Sequence, residues 1–429
     1  MSRRSAAALL LLAVFVISSR ALLWPPHAPN FDFANFALGV VRFAPEDHQP
    51  HPPGYPGVIL LARAFAALGA SPILALHFTA LTGSLLALLG AYLLGRRLAG
   101  ESAGLWSALL LTVQPVFFYS ALTSPTRVFL AAGVTLLFYL LFELPSSLWL
   151  ASVALALTAG FRPELPFLFA VPFLVGARRA HLPWPTILRA ALLTLLLSLP
   201  WLLWLSRSYG SPYRLAFVYY HYFLHHTTNT SPILGAPTAA WQAMLRGALL
   251  WNGPLALLAI FSRSRLPLPF ALYLLPALTI QLLFHLAPDA PDHTLGTIAL
   301  LAVVAGASTR VYLTVPASAL FLAVSFAPPN LLPPDLDILS VRSFTTSQRP
   351  ISQAISNLRA SVRPNDAIVV LPNSPVSHRL LGPEFPDLPI YLLDPASPAL
   401  LHHYRQTLLP NATPDLSRYR QVHVLPRPN

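Results

Sequence analysis

The stretch that decides the fold is PILALHFTALTGSLLALLGAYLLGRR, residues 72–97, an apolar run with no charged side chain before Arg96 and Arg97. A helix needs about 20 apolar residues to cross the hydrocarbon core of a bilayer. Similar runs recur along the chain, in which 55% of the 429 residues are hydrophobic and only 10% are charged. A soluble protein carries about 25% charged residues. The composition therefore predicts an all-α polytopic membrane protein.

About eleven transmembrane helices are predicted from these runs. The first, residues 6–24, is interpreted as an uncleaved helix rather than a signal peptide, because Arg20 lies inside the candidate cleavage site. The membrane part is predicted to cover residues 1–327, with outer loops at 25–57 and 206–246. The spans are placed at residues 6–24, 72–95, 103–121, 128–142, 148–161, 166–176, 187–205, 248–261, 268–287, 295–307 and 311–326.

The arginine clusters predict the orientation, because cytoplasmic loops of membrane proteins are rich in basic residues. With a cytoplasmic N-terminus, alternation of the spans brings every cluster to one side: Arg3, Arg4, Arg96, Arg97, Arg178, Arg179, Arg263, Arg265 and Arg310. The same count leaves Glu101 and Glu143 inside. Most carboxylates of the membrane part then face outward: Asp32, Glu46, Asp47, Glu164, Asp289 and Asp292.

Residues 328–429 differ from the rest because they contain several Pro and Asp residues and shorter apolar runs. Residues 351–362 have a helical pattern, and residues 367–371 and 421–425 read as strands. The prediction is a small exoplasmic (periplasmic) α/β domain at the C-terminus.

Several function classes are disfavoured by composition. The sequence has no Cys, which excludes disulfides and thiolate metal sites. All 27 basic residues are Arg, but no basic stretch is interleaved with exposed aromatic residues, so nucleic-acid binding is not expected. The Tyr- and His-rich segment 209–226 has no carboxylate nearby, so an interfacial aromatic belt is favoured over a metal site, with sugar contact as a further alternative. No cofactor is expected.

The first outer loop carries the sharpest polar constellation. It reads NFDFANFA at residues 30–37 and EDHQPHPPGYP at residues 46–56. Asp32 is flanked by Phe31, Phe33 and Phe36, and such a partly desolvated carboxylate at the membrane face is suited to act as a general base. The alternative is that Asp32 caps the short helix that follows it. The proline-rich turn would present His51 rigidly.

The order of four short motifs resembles the GT-C glycosyltransferases, the membrane enzymes of the protein O-mannosyltransferase and aminoarabinose-transferase type. The motifs are Asp32 with Phe36, Ala37 and the Pro-Pro-Gly-Tyr-Pro turn, then GRRLAG at residues 95–100, FRPE at residues 161–164 and PDH at residues 291–293. The resemblance covers residues 1 to about 326. Each motif alone is weak, but their order and sides agree with the family pattern.

The resemblance implies a hexosyl- or pentosyltransferase that moves a sugar from a polyprenyl-phosphate donor to an acceptor on the outer face, with inversion. Asp32 matches the first-loop aspartate that acts as base or binds the acceptor. Glu46, Asp47, His51 and Tyr55 are candidates for acceptor binding or for supporting Asp32. The sequence departs from the family at Phe33, where these enzymes often have Glu.

The leaving lipid phosphate calls for cations, and the guanidinium of Arg matches phosphate oxygens in a bidentate manner. Arg127, Arg162, Glu164, Asp292 and His293 are predicted to form the donor-phosphate site, without a metal. Arg162 and Glu164 have the alternative of a structural ion pair at a tight hairpin. Arg127 has the alternative of an anchor to lipid headgroups.

Two other functions remain open at this stage. A transporter or flippase would place ionisable residues in the middle of its spans, which are nearly free of charge here. A non-catalytic scaffold protein with the same fold is kept open by Phe33. The expected partners are the lipid bilayer, the lipid-linked sugar and an acceptor that is a lipid, a glycan or a protein. The expected location is the inner (plasma) membrane.

Overall fold

Helices dominate the computed structural model of the chain, which describes residues 2–228, 231, 235, 237–261, 267–280, 291–308, 311–372, 374–409 and 414–425. Arg263, Arg265, Asp289 and Arg310 lie outside these residues, as do parts of the predicted outer loop 206–246 and of the span 268–287. The helices are α1 Arg3–Ala21, α2 Phe31–Val41, α3 Pro56–Ala67, α4 Pro72–Ala99, α5 Glu101–Val113, α6 Pro115–Thr123, α7 Arg127–Phe142, α8 Leu148–Phe161, α9 Leu165–Arg179, α10 Trp184–Ser208, α11 Pro212–Thr228, α12 Thr238–Phe261, α13 Leu268–Ile280, α14 Leu295–Ser308, α15 Val311–Ser325, α16 Pro334–Asp337, α17 Val341–Ser361 and α18 His378–Leu381.

The chain divides into two compact units. Unit 1 consists of residues 1–23, 55–58 and 79–343, and unit 2 of residues 24–54, 59–78 and 344–429. The first outer loop therefore folds together with the C-terminal region, although more than 280 residues separate them in the sequence. The domain boundary predicted between residues 327 and 328 stays a prediction.

Four of the described helices are long and apolar enough to cross a membrane, and a bent pair of helices brings the number to five. The four are Arg3–Ala21, Pro72–Ala99, Trp184–Ser208 and Thr238–Ile260. Seven shorter apolar helices accompany them in the described part of the chain. The predicted number of about eleven spans stays a prediction.

The span predicted at residues 103–121 coincides with the bent pair and stays a prediction. Helices α5 and α6 meet at an angle of 58° around Gln114, because Pro115 has no N–H with which to continue the helical ladder. The Gln114 side chain accepts a hydrogen bond from Phe117 N at 2.9 Å and donates to Trp251 O at 3.1 Å. The fully buried Arg20 donates to Thr112 O at 2.8 Å. Side chains thus bond groups around the break, as lipid surroundings require.

Helix α14 packs against α5 in the centre of unit 1, and small residues permit the close approach. Ser107 Oγ donates to Val303 O at 3.2 Å. A Cβ at Gly306 would lie only 2.3 Å from Ser107 N. Small residues at such contacts are typical of membrane helix pairs.

Polar residues predicted on the inner side contact one another within unit 1. Ser5 Oγ donates to Glu101 Oε2 at 2.6 Å, and Arg97 Nε lies 2.7 Å from Glu143 Oε1. Arg127 begins α7 and Glu143 ends it, so these two charges lie about 24 Å apart along the helix at 1.5 Å per residue. The predicted alternation of the spans stays a prediction.

A five-stranded sheet lies in the C-terminal region of unit 2. Its strands are β1 Ala367–Val370, β2 Ile390–Leu392, β3 Ala399–His402, β4 Arg405–Leu408 and β5 Val422–Leu425, in the order β4-β3-β2-β1-β5. β1 is parallel to both β2 and β5, whereas β3 and β4 continue the sheet as antiparallel strands. The two predicted strands are confirmed as β1 and β5. The predicted helix begins ten residues earlier, at Val341, because α17 continues through Pro350.

Replacing Gly306 by Val is expected to lower the free energy of unfolding by about 1–3 kcal/mol, because the side chain would push α14 away from α5. Thermal unfolding of the detergent-solubilised protein measures the effect. The control is Gly253→Ala, since no described atom lies within 4 Å of a Cβ at that position. Equal melting temperatures for wild type and Gly306→Val would contradict the close contact.

Candidate active site

The first part of the candidate site is the loop of unit 2 that contains α2. Asn30, not Asp32, caps this helix, because its side-chain Oδ1 accepts a hydrogen bond from Phe33 N at 2.8 Å. Asp32 therefore lies in the first turn, where a negative charge interacts favourably with the helix dipole. The capping alternative for Asp32 is wrong, and its carboxylate is left for another role.

Asp32 is paired with His51. The Nδ1 atom of His51 lies 3.5 Å from Asp32 Oδ1, and the two side chains are 11% and 66% exposed. The ring of His51 also meets the edge of Phe36 at a centroid distance of 5.2 Å. The expected shielding of the Asp32 carboxylate by neighbouring phenylalanines is not observed. Phe33 and Phe36 are buried, whereas the Asp32 side chain is exposed.

Phe33 is a core residue of unit 2. Its side chain is completely buried and packs against His77 of α4 at a ring distance of 4.8 Å, and Trp24 stacks on the same imidazole at 5.3 Å. A glutamate at this position would place a charge in the core without a described partner, which is costly. Packing in the core of unit 2 therefore explains why Phe33 occupies the position at which the GT-C enzymes often have Glu.

The Pro45–Asp47 turn is held from two sides. Arg42 Nη1 bonds to Asp47 Oδ2 at 2.8 Å, and the buried Arg379 of α18 donates to Asp47 O at 2.6 Å. Glu46 is exposed on the same turn. His48 interacts electrostatically with Arg379, His51 and Asp32, so these four side chains form one cluster.

Sequence reasoning missed Arg379, because it lies in a segment with no catalytic pattern. Further contacts of the C-terminal region with the first loop accompany it. Gln348 Nε2 donates to Pro29 O at 2.9 Å, and His27 Nδ1 lies 2.8 Å from Glu384 Oε1. Glu384 also forms an ion pair with Arg359, whose side chain is exposed. The C-terminal region thus supports the loop that carries Asp32.

The second part of the candidate site is a charged cluster in unit 1. Arg127 Nη2 lies 2.7 Å from His293 Nε2, and Arg127 Nε lies 3.6 Å from Asp292 Oδ2. Because a guanidinium only donates, His293 Nε2 is the acceptor in this pair and the ring proton lies on Nδ1. The start of α7 and the Pro291–Thr294 turn are joined by these contacts.

Arg162 and Glu164 form the remainder of this cluster. They form an ion pair, as the structural alternative predicted, with Arg162 Nε donating to Glu164 Oε1 at 2.8 Å. The Arg162 guanidinium also lies 5.7 Å from the centre of the Tyr55 ring. Its Nη1 is buried and finds no hydrogen-bond acceptor among the described residues. The two N–H groups of Arg162 Nη1 thus remain for a further ligand.

Both charges of this pair persist at neutral pH. Burial alone would raise the pKa of Glu164, but the charges of Arg162 and Arg127 outweigh it and lower the pKa. Burial would likewise lower the pKa of Arg162, but Glu164, Tyr55 and Asp292 outweigh it and raise the pKa. The predicted donor-phosphate residues therefore form one electrostatically coupled group.

The Tyr- and His-rich segment forms helix α11, in which His221 contacts Phe217 and Tyr220. Across the described residues, no set of three or more His, Asp or Glu side chains is arranged to hold a metal ion. Donor binding without a metal stays a prediction.

Solved structures of two proteins, ArnT and an archaeal oligosaccharyltransferase, have a similar fold. ArnT from Cupriavidus metallidurans bound to undecaprenyl phosphate has a TM-score of 0.60 at 12% identity, over 89% of this chain and 86% of that chain. Apo ArnT gives 0.60 at 13% identity, over 88% and 85%. The apo oligosaccharyltransferase of Archaeoglobus fulgidus gives 0.51 at 13% identity, over 89% of this chain and 63% of that one. No family model and no curated protein sequence matches the chain.

The chain shares its fold with ArnT and with the archaeal oligosaccharyltransferase. The resemblance that the short sequence motifs indicated is confirmed as a similarity of fold. A sequence identity of 12–13% extends the likeness to the fold alone. The residues that carry chemistry must therefore be argued from their own contacts.

Two variants distinguish phosphate binding by Arg162 from a purely structural ion pair. Arg162→Lys keeps the charge but loses the bidentate fork, and the KM for a polyprenyl-phosphate sugar is expected to rise about tenfold or more. The double variant Arg162→Gln with Glu164→Gln keeps a neutral hydrogen-bonded pair and is expected to lose donor binding. Arg97→Lys at the opposite end of the helices is the control. Donor affinity of the wild-type level in the folded double variant would assign the pair to structure alone.

The stability of unit 2 is expected to fall in mild acid because of His378. Burial, reinforced by the charge of Arg379, lowers the pKa of His378 from 6.5 to about 3. Between these two values the unfolded chain binds a proton that the folded chain does not, so the free energy of unfolding decreases as the pH falls from 6.5 toward 3. Melting curves at pH 7.5 and pH 5 measure this loss.

The variant His378→Gln removes this titration, so its melting temperature is expected to depend less on pH. His221→Gln is the control, because His221 is exposed. An identical pH dependence of wild type and His378→Gln would exclude His378 as the source.

Proposed function

We propose that the chain is an integral membrane glycosyltransferase that moves a sugar from a polyprenyl-phosphate donor to an acceptor, with inversion at the anomeric carbon. The observation that carries the proposal is the Arg127–Asp292–His293 and Arg162–Glu164 cluster of unit 1. It joins two arginines at the ends of apolar helices, where we place the lipid phosphate of the donor. ArnT, which has a similar fold, was crystallised with undecaprenyl phosphate.

The cluster suits a leaving phosphate for an electrostatic reason. Each arginine is already oriented by a carboxylate, so little reorganisation accompanies the arrival of negative charge on the leaving oxygen. Arg162 Nη1 provides two N–H groups that no described residue uses. Arg127 adds a second guanidinium, which is held by His293 at 2.7 Å and lies 3.6 Å from Asp292.

The Asp32–His51 pair of unit 2 supplies the general base. The acceptor hydroxyl attacks the anomeric carbon, its proton passes to the Asp32 carboxylate, and the bond between that carbon and the phosphate oxygen breaks. The polyprenyl phosphate leaves with the bonding electron pair. His51 orients the carboxylate, and positioned acid–base groups contribute about 10²–10⁴ to the rate of such reactions. Glu46, on the same loop, is available to bind an acceptor.

The packing of Phe33 supports an active enzyme over a non-catalytic scaffold. A core phenylalanine at this position leaves Asp32 on the exposed side of α2, so the departure from the family pattern removes no group from the catalytic surface. We further propose that the enzyme lies in the inner (plasma) membrane with its N-terminus in the cytoplasm. The C-terminal region then lies on the outer side.

The variant Asp32→Asn is expected to reduce transfer from a polyprenyl-phosphate sugar by about 10²–10⁴-fold, because the amide cannot accept the proton. Radiolabelled sugar transfer in membranes measures the rate, and immunoblotting confirms that the protein level is unchanged. Asp415→Asn is the control, because this exposed carboxylate accepts hydrogen bonds from Ser417 and from no other described residue. Transfer at the wild-type rate by Asp32→Asn would remove Asp32 as the base.

A further inference from the structure

A polar cavity of about 750 Å³ lies in the C-terminal region of unit 2. Its walls come from the segments that precede β1, β2 and β5 and from the turn between β3 and β4. These are residues 365–366, 387–389, 418–420 and 402–403. The volume falls within the range of about 300–1,000 Å³ that is typical of small-molecule sites. None of these residues belongs to the candidate active site.

Asp366 forms the floor of the cavity. Its side chain is completely buried, and its Oδ2 accepts hydrogen bonds from Arg363 N at 2.9 Å, Arg420 Nη2 at 2.8 Å and His423 Nε2 at 3.0 Å. Burial opposes ionisation, but these donors outweigh it and lower the pKa of Asp366 to about 2. The second oxygen, Oδ1, finds no donor among the described residues. A buried carboxylate oxygen without a partner is rare in proteins.

One wall of the cavity carries an arginine that is tied to tyrosines rather than to a carboxylate. Arg418 Nη2 donates to Tyr391 Oη at 3.0 Å and to Tyr419 Oη at 2.8 Å, and its guanidinium lies 5.0 Å from the Tyr419 ring centre. Within the described residues, Arg418 forms no ion pair. Asp387 adds a carboxylate on the same cavity that likewise forms no ion pair there.

The presence of both carboxylates and guanidiniums in the cavity indicates which class of ligand it binds. An anion would be repelled by Asp366 and Asp387, and a cation by Arg418 and Arg420. An apolar ligand would leave these groups unpaired, at a cost in free energy. A hydroxyl group both donates and accepts, so a molecule rich in hydroxyls satisfies the carboxylates and the guanidiniums together. The Tyr419 ring offers a surface for the apolar face of a sugar ring.

We propose that this cavity binds a neutral saccharide. The site lies outside both parts of the candidate active site, and the proposal stands independently of the proposed transfer reaction. The saccharide is either part of the acceptor or the sugar of the lipid-linked donor, since both present the same hydroxyl groups. A saccharide bound here gives the C-terminal region a binding role in addition to its support of the first loop.

The experiment measures binding to the full-length protein in detergent by microscale thermophoresis. A panel of neutral di- and trisaccharides of hexoses and N-acetylhexosamines tests the acceptor as the source, and a polyprenyl-phosphate hexose tests the donor. Inorganic pyrophosphate tests an anion site. Arg418→Gln and Asp387→Asn each remove one type of cavity group. Gln353→Ala is the control, because Gln353 lines a different cavity beside β5.

At least one saccharide is expected to bind, with an affinity that falls about tenfold or more in Arg418→Gln and in Asp387→Asn and stays unchanged in Gln353→Ala. The Asp32→Asn variant is expected to bind it as the wild type does, so this proposal and the transfer reaction fail separately. Melting temperatures verify that each variant is folded. The proposal is overturned by absence of binding across the whole panel, by equal affinity in folded Arg418→Gln and Asp387→Asn, or by pyrophosphate binding in place of a saccharide.

Discussion

The structure depends on one constraint, which is that backbone N–H and C=O groups have no water to bond with inside a lipid bilayer. Continuous helices satisfy these groups internally, and a break must be satisfied by side chains. The bend at Gln114 and Pro115 interrupts the helical hydrogen bonds, and two side chains replace them. Gln114 caps α6 with its side-chain amide, and the buried Arg20 donates to Thr112 O. The side chains of Gln114 and Arg20 thus bond backbone groups around the break, and the charged groups of unit 1 in the candidate site lie at helix ends.

The charged residues at the α8–α9 turn and at the start of α7 occur in pairs, because a buried charge without a partner is costly. Arg162 and Glu164 are held against each other at the α8–α9 turn, and Arg127 meets Asp292 and His293 at the start of α7. Removing one partner of a buried pair costs about 3–5 kcal/mol because it leaves an unpaired charge. The arginines are thus oriented before any ligand arrives. Structural ion pairing and phosphate binding are compatible roles of the same residues.

Unit 2 joins segments that are far apart in the chain. The loop that carries Asp32 and His51 is held by Gln348, Glu384 and Arg379 of the C-terminal region. Since loops connecting apolar helices have no core of their own, an external scaffold is needed to fix a catalytic carboxylate. The sheet of the same region also forms the polar cavity around Asp366. Support of the loop and recognition of a sugar would then reside in one unit.

The sequence by itself determined the class of fold, because hydropathy, arginine placement and the order of short motifs are local properties that need no tertiary contacts to be read. It also identified Arg127, Arg162, Glu164, Asp292 and His293, which the structure brings together in unit 1. Only the tertiary structure assigned the α2 cap to Asn30, gave Phe33 its place in the core and revealed Arg379 beside the first loop. These facts depend on which face of a helix is covered and on contacts between segments more than 300 residues apart, and no periodicity in a single sequence encodes them.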